Sequence, residues 1–334
     1  MPATLLIWLQ FAFCLALIGL AGVRLIRYGD AIAELTGLSR NWIGLILVAT
    51  VTSLPELVTG LSAVTLVAAP DIAVGDALGS CVFNLAILAL LDVFYRKEPV
   101  YAVAAHGHLL SAGFGVVLLG VAALILLLSA QGALPSLGHI SWGSGVILML
   151  YGLAMRAIYL AEQRQPPAPR LTAPVMSLKS ALTGYVLAAA VVVGSGIWLP
   201  LIGVELARLM GWSNSFVGTL FVALATSVPE LATTWGAMRI GAVDMAMANL
   251  LGSNLFDVLI LAIDDLAYRP GSLYAQVSPM HTVSAVTACL MSGAVVVALA
   301  YRPVARVWRL GSWASIALLA LYLLNAVLQF LHGR

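Results

Sequence analysis

Thr52-Ser53-Leu54-Pro55-Glu56 recurs as Thr226-Ser227-Val228-Pro229-Glu230, and Gly79-Ser80-Cys81-Val82-Phe83-Asn84 recurs as Gly252-Ser253-Asn254-Leu255-Phe256-Asp257. Thr52 and Glu56, like Thr226 and Glu230, are four residues apart and share a helix face. Ser80 with Asn84 and Ser253 with Asp257 repeat that spacing. Four short faces therefore each offer a hydroxyl and a carbonyl-bearing side chain. Each proline removes a helical donor and frees a carbonyl in the preceding turn. In lipid the freed group needs a partner, and a cavity holding a cation supplies one. Oxygen-only ligands suit hard cations, and the sequence has no histidine or thiolate cluster of the kind zinc or copper prefers. Three carboxylates (Glu56, Glu230, Asp257) with the Asn84 amide can neutralise one divalent ion or several monovalent ones. Calcium and sodium have similar radii, so one oxygen cage could serve both. A proline kink beside a snorkelling acid would account for one such element. Two at corresponding positions favour a functional ion site, as ionisable residues inside membranes usually do.

The rest of the chain says where these residues sit. It is 62% hydrophobic and 9% charged, with mean hydropathy +1.05, whereas soluble domains carry about a quarter charged residues. A lipid bilayer is its implied environment. No basic run points to nucleic acid, and no protein partner is implied. Apolar runs predict helices at 4–26, 42–68, 71–94, 104–129, 138–161, 181–208, 215–240, 243–267, 280–300 and 310–331. The first exceeds a signal-peptide core and reads as a membrane span. Residues 162–179, with Pro166, Pro167, Pro169 and Pro174, read as a linker. They divide the chain into 1–161 and 180–334.

Gly37–Thr59 overlays Gly211–Thr233 at a constant offset, and after a one-residue slip Asp71 pairs with Asp244 and Gly79-Ser80 with Gly252-Ser253. Five spans per half would make the second half enter the membrane upside down. The expected fold is an all-α membrane protein, ten transmembrane helices in two inverted five-helix repeats with broken helices at a central ion site, a plan common among secondary transporters. Charge supports it. Arg24, Arg27, Arg40, Arg96, Lys97, Arg156, Arg164, Arg170, Lys179, Arg239, Arg302, Arg306 and Arg309 fall on one side, and Arg208, Arg269 and Arg334 on the other. Positive charge marks the cytoplasmic side, which puts the linker there and both termini outside.

Other polar residues draw simpler expectations. Asp71 and Asp244 are expected to cap helix starts. Asp92, Asp264 and Asp265, near span ends, are expected to be solvated. His106, His108, His139 and His281 suit loops or interfaces, and Cys14, Cys81 and Cys289 read as small buried residues. Trp42, Trp198, Trp212, Tyr268 and Trp308 suit an interfacial belt. Asp76, equivalent to Asn249, is placed with equal weight on the ion path or off it.

These paired motifs resemble the calcium/cation antiporter superfamily, the sodium/calcium exchangers and their prokaryotic relatives, over essentially the whole chain. The resemblance implies that helices 2, 3, 7 and 8 form the central site while helices 1 and 6 slide across it. It implies that Glu56 and Glu230 share calcium or sodium, and that Thr52 and Thr226 give backbone carbonyls to calcium. Ser53, Ser227, Ser80 and Ser253 would help coordinate sodium, and Ala49 and Ala223 would offer carbonyls to outer sodium sites. Asn84 and Asp257 would form a mid-site pair, where water or a proton can replace a cation. Two positions depart from the pattern: many members carry asparagine where this chain has Asp76 and Cys81. The G-S-C-V-F-N wording is similar to potassium-dependent exchangers, so potassium and protons stand beside calcium and sodium as candidate ions. The long regulatory loop of animal exchangers is absent from the linker.

Calcium/sodium exchange in a plasma (inner) membrane, serving calcium homeostasis, is the leading reading, with no prosthetic group. A proton/calcium or potassium-dependent exchanger on the same fold is the alternative. An intramembrane enzyme is disfavoured because no G-x-S-G or H-E-x-x-H element is present, and a passive channel because inverted repeats suit alternating access. Charge placement yields the first prediction. In a cysteine-free background, single cysteines introduced in 162–179 should resist an impermeant maleimide in intact cells and react after the membrane is opened. Labelling of intact cells would reverse the orientation.

Overall fold

The structure, a computed structural model, describes residues 3–36, 52–162, 176–239, 243–307 and 311–332. Ala49, Trp42, Trp308 and most of the linker lie outside the described residues. The helices are α1 (Ala3–Thr36), α2 (Leu54–Ser62, continued by a π-turn at Ala63–Val67), α3 (Pro70–Phe94), α4 (Gly107–Ala130), α5 (Trp142–Glu162) and α6 (Leu178–Met210). They continue with α7 (Asn214–Thr226 joined to Val228–Arg239 through a 45° bend), α8 (Val243–Ala267), α9 (Met280–Tyr301) and α10 (Trp313–His332). Among the described residues, eight of these are long and apolar enough to cross a membrane, and the bent α7 makes a ninth. Helices satisfy every backbone group internally, which is why apolar sequence in lipid takes this form.

Local signals set the boundaries. Ser177 accepts from Ser180 N–H (3.3 Å) at the start of α6, and Ser213 from Phe216 N–H (3.1 Å) at the start of α7. Gly211, at φ +67°, ends α6 in the left-handed region that glycine adopts without strain. α1 runs well past the expected end at residue 26. Arg24 and Arg27 are good helix formers and continue the helix rather than stopping it.

α3 and α8 form the centre. In each, 78% of the most apolar stretch is buried, against 22–50% in the other long helices. α1 packs on α6, α4 on α9, and α3 against both α8 and α7. Leu20, Leu124, Leu187 and Leu323 stay exposed on the outer helices, as a lipid-facing surface requires. Side-chain contacts fix which ends lie together. Trp8 packs edge-on against Trp212, with ring centroids 6.3 Å apart. Gln329 accepts from Ser215 Oγ (3.3 Å) and donates to Met280 O (3.0 Å). The start of α1 and the end of α10 therefore lie on the same side. At the opposite end Arg302 donates to Ala104 O (3.1 Å), and Arg306 to the carbonyls of Tyr95 and Glu98.

Buried carboxylates staple this frame, and here the structure corrects three expectations. Asp92 and Asp265 are not solvated; both are fully buried. Asp92 accepts from Val100 N–H (2.7 Å), Ser312 N–H (2.6 Å) and Ser315 Oγ (2.6 Å). Asp265 accepts from Leu273 N–H (2.8 Å), Ser141 N–H (2.8 Å) and Ser144 Oγ (2.6 Å). Each thus binds the loop that follows its own helix and the start of a helix from the other half of the chain, α10 for Asp92 and α5 for Asp265. Asp264 is fully buried too.

Asp71 and Asp244 cap in trans rather than their own helices. Asp71 takes Ser278 N–H (2.7 Å) and lies 3.0 Å from His281 Nε2, at the start of α9. Asp244 takes Ala105 N–H (2.7 Å) and lies 3.0 Å from His108 Nε2, at the start of α4. His281 is accordingly core rather than loop. Each half anchors a helix of the other.

Replacing Asp92 with alanine strands the buried Val100 and Ser312 donors. A stranded buried donor costs about 1–3 kcal/mol, so Asp92→Ala should lower the thermal unfolding midpoint of the purified protein markedly. Asp92→Asn, which keeps one acceptor oxygen, should lower it less. Two midpoints equal to wild type would refute the stapling role.

Candidate ion site

The bend in α7 falls at Ser227 (φ −83°, ψ 7°), and Ser53 has matching angles (φ −88°, ψ 13°) just before α2. Each break precedes a proline, and Pro229 leaves the Ala225 carbonyl without its helical donor. A π-helical segment, Gly218–Val222, leads into the α7 break. Such segments are frequent at functional sites. α3 comes close to it because Gly75, Gly79 and Gly218 have no side chains. A Cβ on Gly75 would lie 2.9 Å from Thr219 N, one on Gly218 2.9 Å from Ile72 O, and one on Gly79 would overlap the Thr219 carbonyl.

This approach brings most of the expected residues together. Thr52, Ser53, Glu56, Ser80, Asn84, Ala223, Thr226, Ser227, Glu230, Ser253 and Asp257 are all buried. Thr226 Oγ1 donates to Asp76 Oδ1 (2.8 Å) and lies 3.5 Å from Ser80 Oγ. In the other half, Thr52 Oγ1 donates to Asn249 Oδ1 (3.5 Å) and lies 3.1 Å from Ser253 Oγ. Ser227 Oγ reaches Glu56 Oε1 (3.4 Å) and Ser80 Oγ (3.1 Å), and Ser253 Oγ reaches Glu230 Oε1 (3.3 Å). Ala223 O accepts from Ser227 N–H (3.0 Å) and Thr226 Oγ1 (3.2 Å), so its carbonyl faces the break. Thr52, Thr226 and Ser227 each reach a helix of the other half, while Ser253 also holds the glutamate of its own half.

What these groups lack is as informative. Glu56 Oε2, Glu230 Oε2, Asp257 Oδ1, Asp76 Oδ2, Ser53 Oγ and both polar atoms of Asn84 are buried without a hydrogen-bond partner. The ion pairs among the described residues are His108–Asp244, Arg208–Glu205 and His281–Asp71, none of which touches these acids. Buried polar groups are normally satisfied, and buried charge without a partner is strongly unfavourable. A group of orphaned oxygens on four helices is chemistry suited to a hard cation. No three Asp, Glu, His or Cys side chains among the described residues converge tightly enough to enclose a metal by themselves. Hydroxyl, amide and carbonyl oxygens would have to complete any shell.

Four participants exceed the expected set. Asp76 and Asn249 receive the threonine hydroxyls from opposite halves, and their position four residues before Ser80 and Ser253 carries that signal in the sequence. Asn254 and Cys81, also equivalent, face each other. Asn254 Nδ2 donates to Cys81 O (3.2 Å), and the thiol approaches Asn254 O (3.7 Å) and Asp257 Oδ2 (3.9 Å). Cys81 is thus buried, as expected, but at the site rather than in inert packing.

α1 and α6 cover the breaks with glycine. A Cβ on Gly19 would lie 2.7 Å from Val228 Cγ1, and one on Gly22 would overlap Pro229. A Cβ on Gly196 would lie 2.9 Å from Val58 Cγ1.

With this geometry in place, the relatives fall into line. The sodium/calcium exchanger protein profile matches residues 6–160 and 179–331. The chain belongs to the sodium/calcium exchanger family. It is 28% identical to the sodium/calcium exchanger MaX1 of Methanosarcina acetivorans over 147 residues, 42% of this chain and 38% of that one. It is 26% identical to the inner membrane protein YrbG of Escherichia coli over 268 residues, 75% and 76% of the two chains. Its fold matches the sodium-calcium exchanger NCX_Mj with a TM-score of 0.59 at 23% identity, covering 96% of this chain and 98% of that one. The chain is therefore a membrane antiporter of this family rather than an enzyme.

Proposed function

We propose that this chain exchanges calcium for sodium by alternating access through the site formed by α2, α3, α7 and α8. The observation that carries the reading is the matched pair Glu56 and Glu230, each buried with one orphaned oxygen and the other held by a serine hydroxyl, Ser227 of the opposite half for Glu56 and Ser253 of the same half for Glu230. Calcium leaving water needs formal negative charge, which the two glutamates and Asp257 supply. Sodium needs fewer charges and more neutral oxygens, which Ser53, Ser80, Ser227 and Ser253 supply. One cage then alternates between the two loads. The name of MaX1 is in keeping with this chemistry.

The reading includes an architecture. Two inverted five-helix repeats, residues 1–161 and 180–334, joined by a cytoplasmic linker, would place the chain in a plasma or inner membrane with both termini outside. The trans-capping by Asp71, Asp92, Asp244 and Asp265 supports a rigid core of α3, α4, α5, α8, α9 and α10. α1 and α6 meet the broken helices through Gly19, Gly22 and Gly196, a smooth contact suited to sliding. Access would alternate as that pair moves.

Calcium flux into proteoliposomes, with sodium, potassium and proton gradients imposed one at a time, tests the coupling. A sodium gradient alone should drive calcium movement. Movement driven only by the pH gradient would replace this reading with proton exchange. Glu56→Gln and Glu230→Gln should each abolish uptake while leaving a folded, membrane-inserted protein, and robust uptake by either variant would refute the assignment. Asp257→Asn should retain part of the calcium flux while changing its dependence on potassium or pH. Complete loss would make Asp257 an essential calcium ligand, and an unchanged profile would make it a bystander.

A further inference from the structure

Asp264 is used neither by the central site nor by the staples. Its side chain is fully buried, and neither carboxylate oxygen has a hydrogen-bond partner. It lies seven residues after Asp257 on α8, hence two turns further along the same face, about 10 Å along the axis. On α2, Gly60 lies one turn beyond Glu56 on the face that carries that acid. The two stripes meet: a Cβ on Gly60 would overlap Asp264 Oδ2 and lie 2.9 Å from Oδ1. Asp76, whose Oδ2 is itself orphaned, lies on α3 between the central Ser80 and Asp71, the end at which Asp71 holds Ser278. A line of buried acids thus leads from Glu56 and Asp257 toward the end of α8 where Asp265 holds Ser141 and Leu273.

The duplicated sequence shows that this feature is present at only one of two equivalent contacts between the halves. The offset that pairs Asp92 with Asp265 pairs Leu91 with Asp264, and the offset that pairs Thr59 with Thr233 pairs Gly60 with Thr234. Asp264 of the second half faces Gly60 of the first, and the equivalent positions are Leu91 of the first half and Thr234 of the second. Both members changed, and the glycine makes the room the carboxylate occupies. Packing does not explain it, because an unpaired buried carboxylate destabilises a fold that leucine would stabilise. A cation passing through the site would offset that penalty.

We propose that Asp264, with Asp76, forms a second cation-binding stage between the α8 C-terminal end and the central acids, occupied by the transported calcium ion in transit. The proposal rests on the exchanger reading above. It separates a station that captures the ion from the cage that exchanges it.

The test compares wild type, Asp264→Leu, Asp264→Asn and Glu56→Gln by two measurements on purified protein. One is thermal unfolding with and without calcium; the other is the calcium dependence of uptake in proteoliposomes. Without calcium, Asp264→Leu should unfold at a higher temperature than wild type, since an orphaned acid has gone. Calcium should still protect it, because the central acids remain, whereas Glu56→Gln should lose that protection. In uptake, Asp264→Leu and Asp264→Asn should raise the half-saturating calcium concentration about tenfold, the loss of about 1.4 kcal/mol, with the maximal rate largely kept. Half-saturation equal to wild type in both variants would overturn the proposal. So would loss of calcium protection in both, which would make Asp264 part of the central cage. Failure of the exchanger reading is seen separately, in wild type that shows neither protection by calcium nor sodium-driven uptake.

Discussion

A carboxylate enclosed in an apolar bundle must be neutralised by something, and among the described residues Glu56, Glu230 and Asp257 have no basic partner. All three are buried, Glu56 and Glu230 beside the breaks of α2 and α7 and Asp257 in the middle of α8. The compensation in reach is a set of neutral oxygens plus whatever cation they admit. Much of the architecture follows from that constraint. The breaks at Ser53 and Ser227 turn backbone and hydroxyl oxygens inward. The glycines at 75, 79 and 218 let α3 come against the π-helical part of α7. The threonines cross over so that each half donates to acceptors on the other.

A site of this kind also needs walls that do not collapse onto its orphaned atoms. The same residue type does both jobs by different means. Asp71, Asp92, Asp244 and Asp265 are carboxylates held by backbone and side-chain donors, on both oxygens for Asp92 and Asp265, and each ties a helix of one half to a helix start of the other. Glu56, Asp76, Glu230 and Asp257 are left under-coordinated. The difference lies in the donors: the ends of the bundle have loop N–H groups to spare, whereas the middle of a helix has none. Rigidity and vacancy are thus set by depth in the bundle. α1 and α6 take no part in those four staples and touch the broken helices through glycine.

Much of this was legible in the chain itself. The duplicated T-S-x-P-E and G-S-x-x-F elements located the four helices that meet, because two copies of a polar motif in apolar sequence have few other uses. Helix positions followed from hydropathy, since lipid permits little else. Asp92, Asp264 and Asp265 were misjudged because nearness to a span end says nothing about which donors a distant loop brings. The partners of Asp92 at Ser312 and Ser315 are over two hundred residues away. Asp71 and Asp244 gave a true signal of capping, but local spacing could not reveal that the helix being capped belongs to the other half. α1 extends past the apolar run that ends at residue 26, because arginine continues a helix readily.

The departures from internal symmetry carry the remaining information. A transporter built from two equivalent halves could present the same environment to either side of the membrane, and equal halves would give no reason for direction or coupling. Here the halves agree wherever geometry is at stake: the broken helices, the crossing threonines, the stapling acids. They disagree in charge. Asp257 faces the role of Asn84, Asp76 that of Asn249, and Asp264 that of Leu91, so each equivalent pair holds one acid and one neutral residue. The pseudo-symmetric frame thus holds an asymmetric electrostatic profile, with the additional acids gathered toward the end of α8. The uneven placement of carboxylates makes the two ends of the site chemically different to an arriving ion.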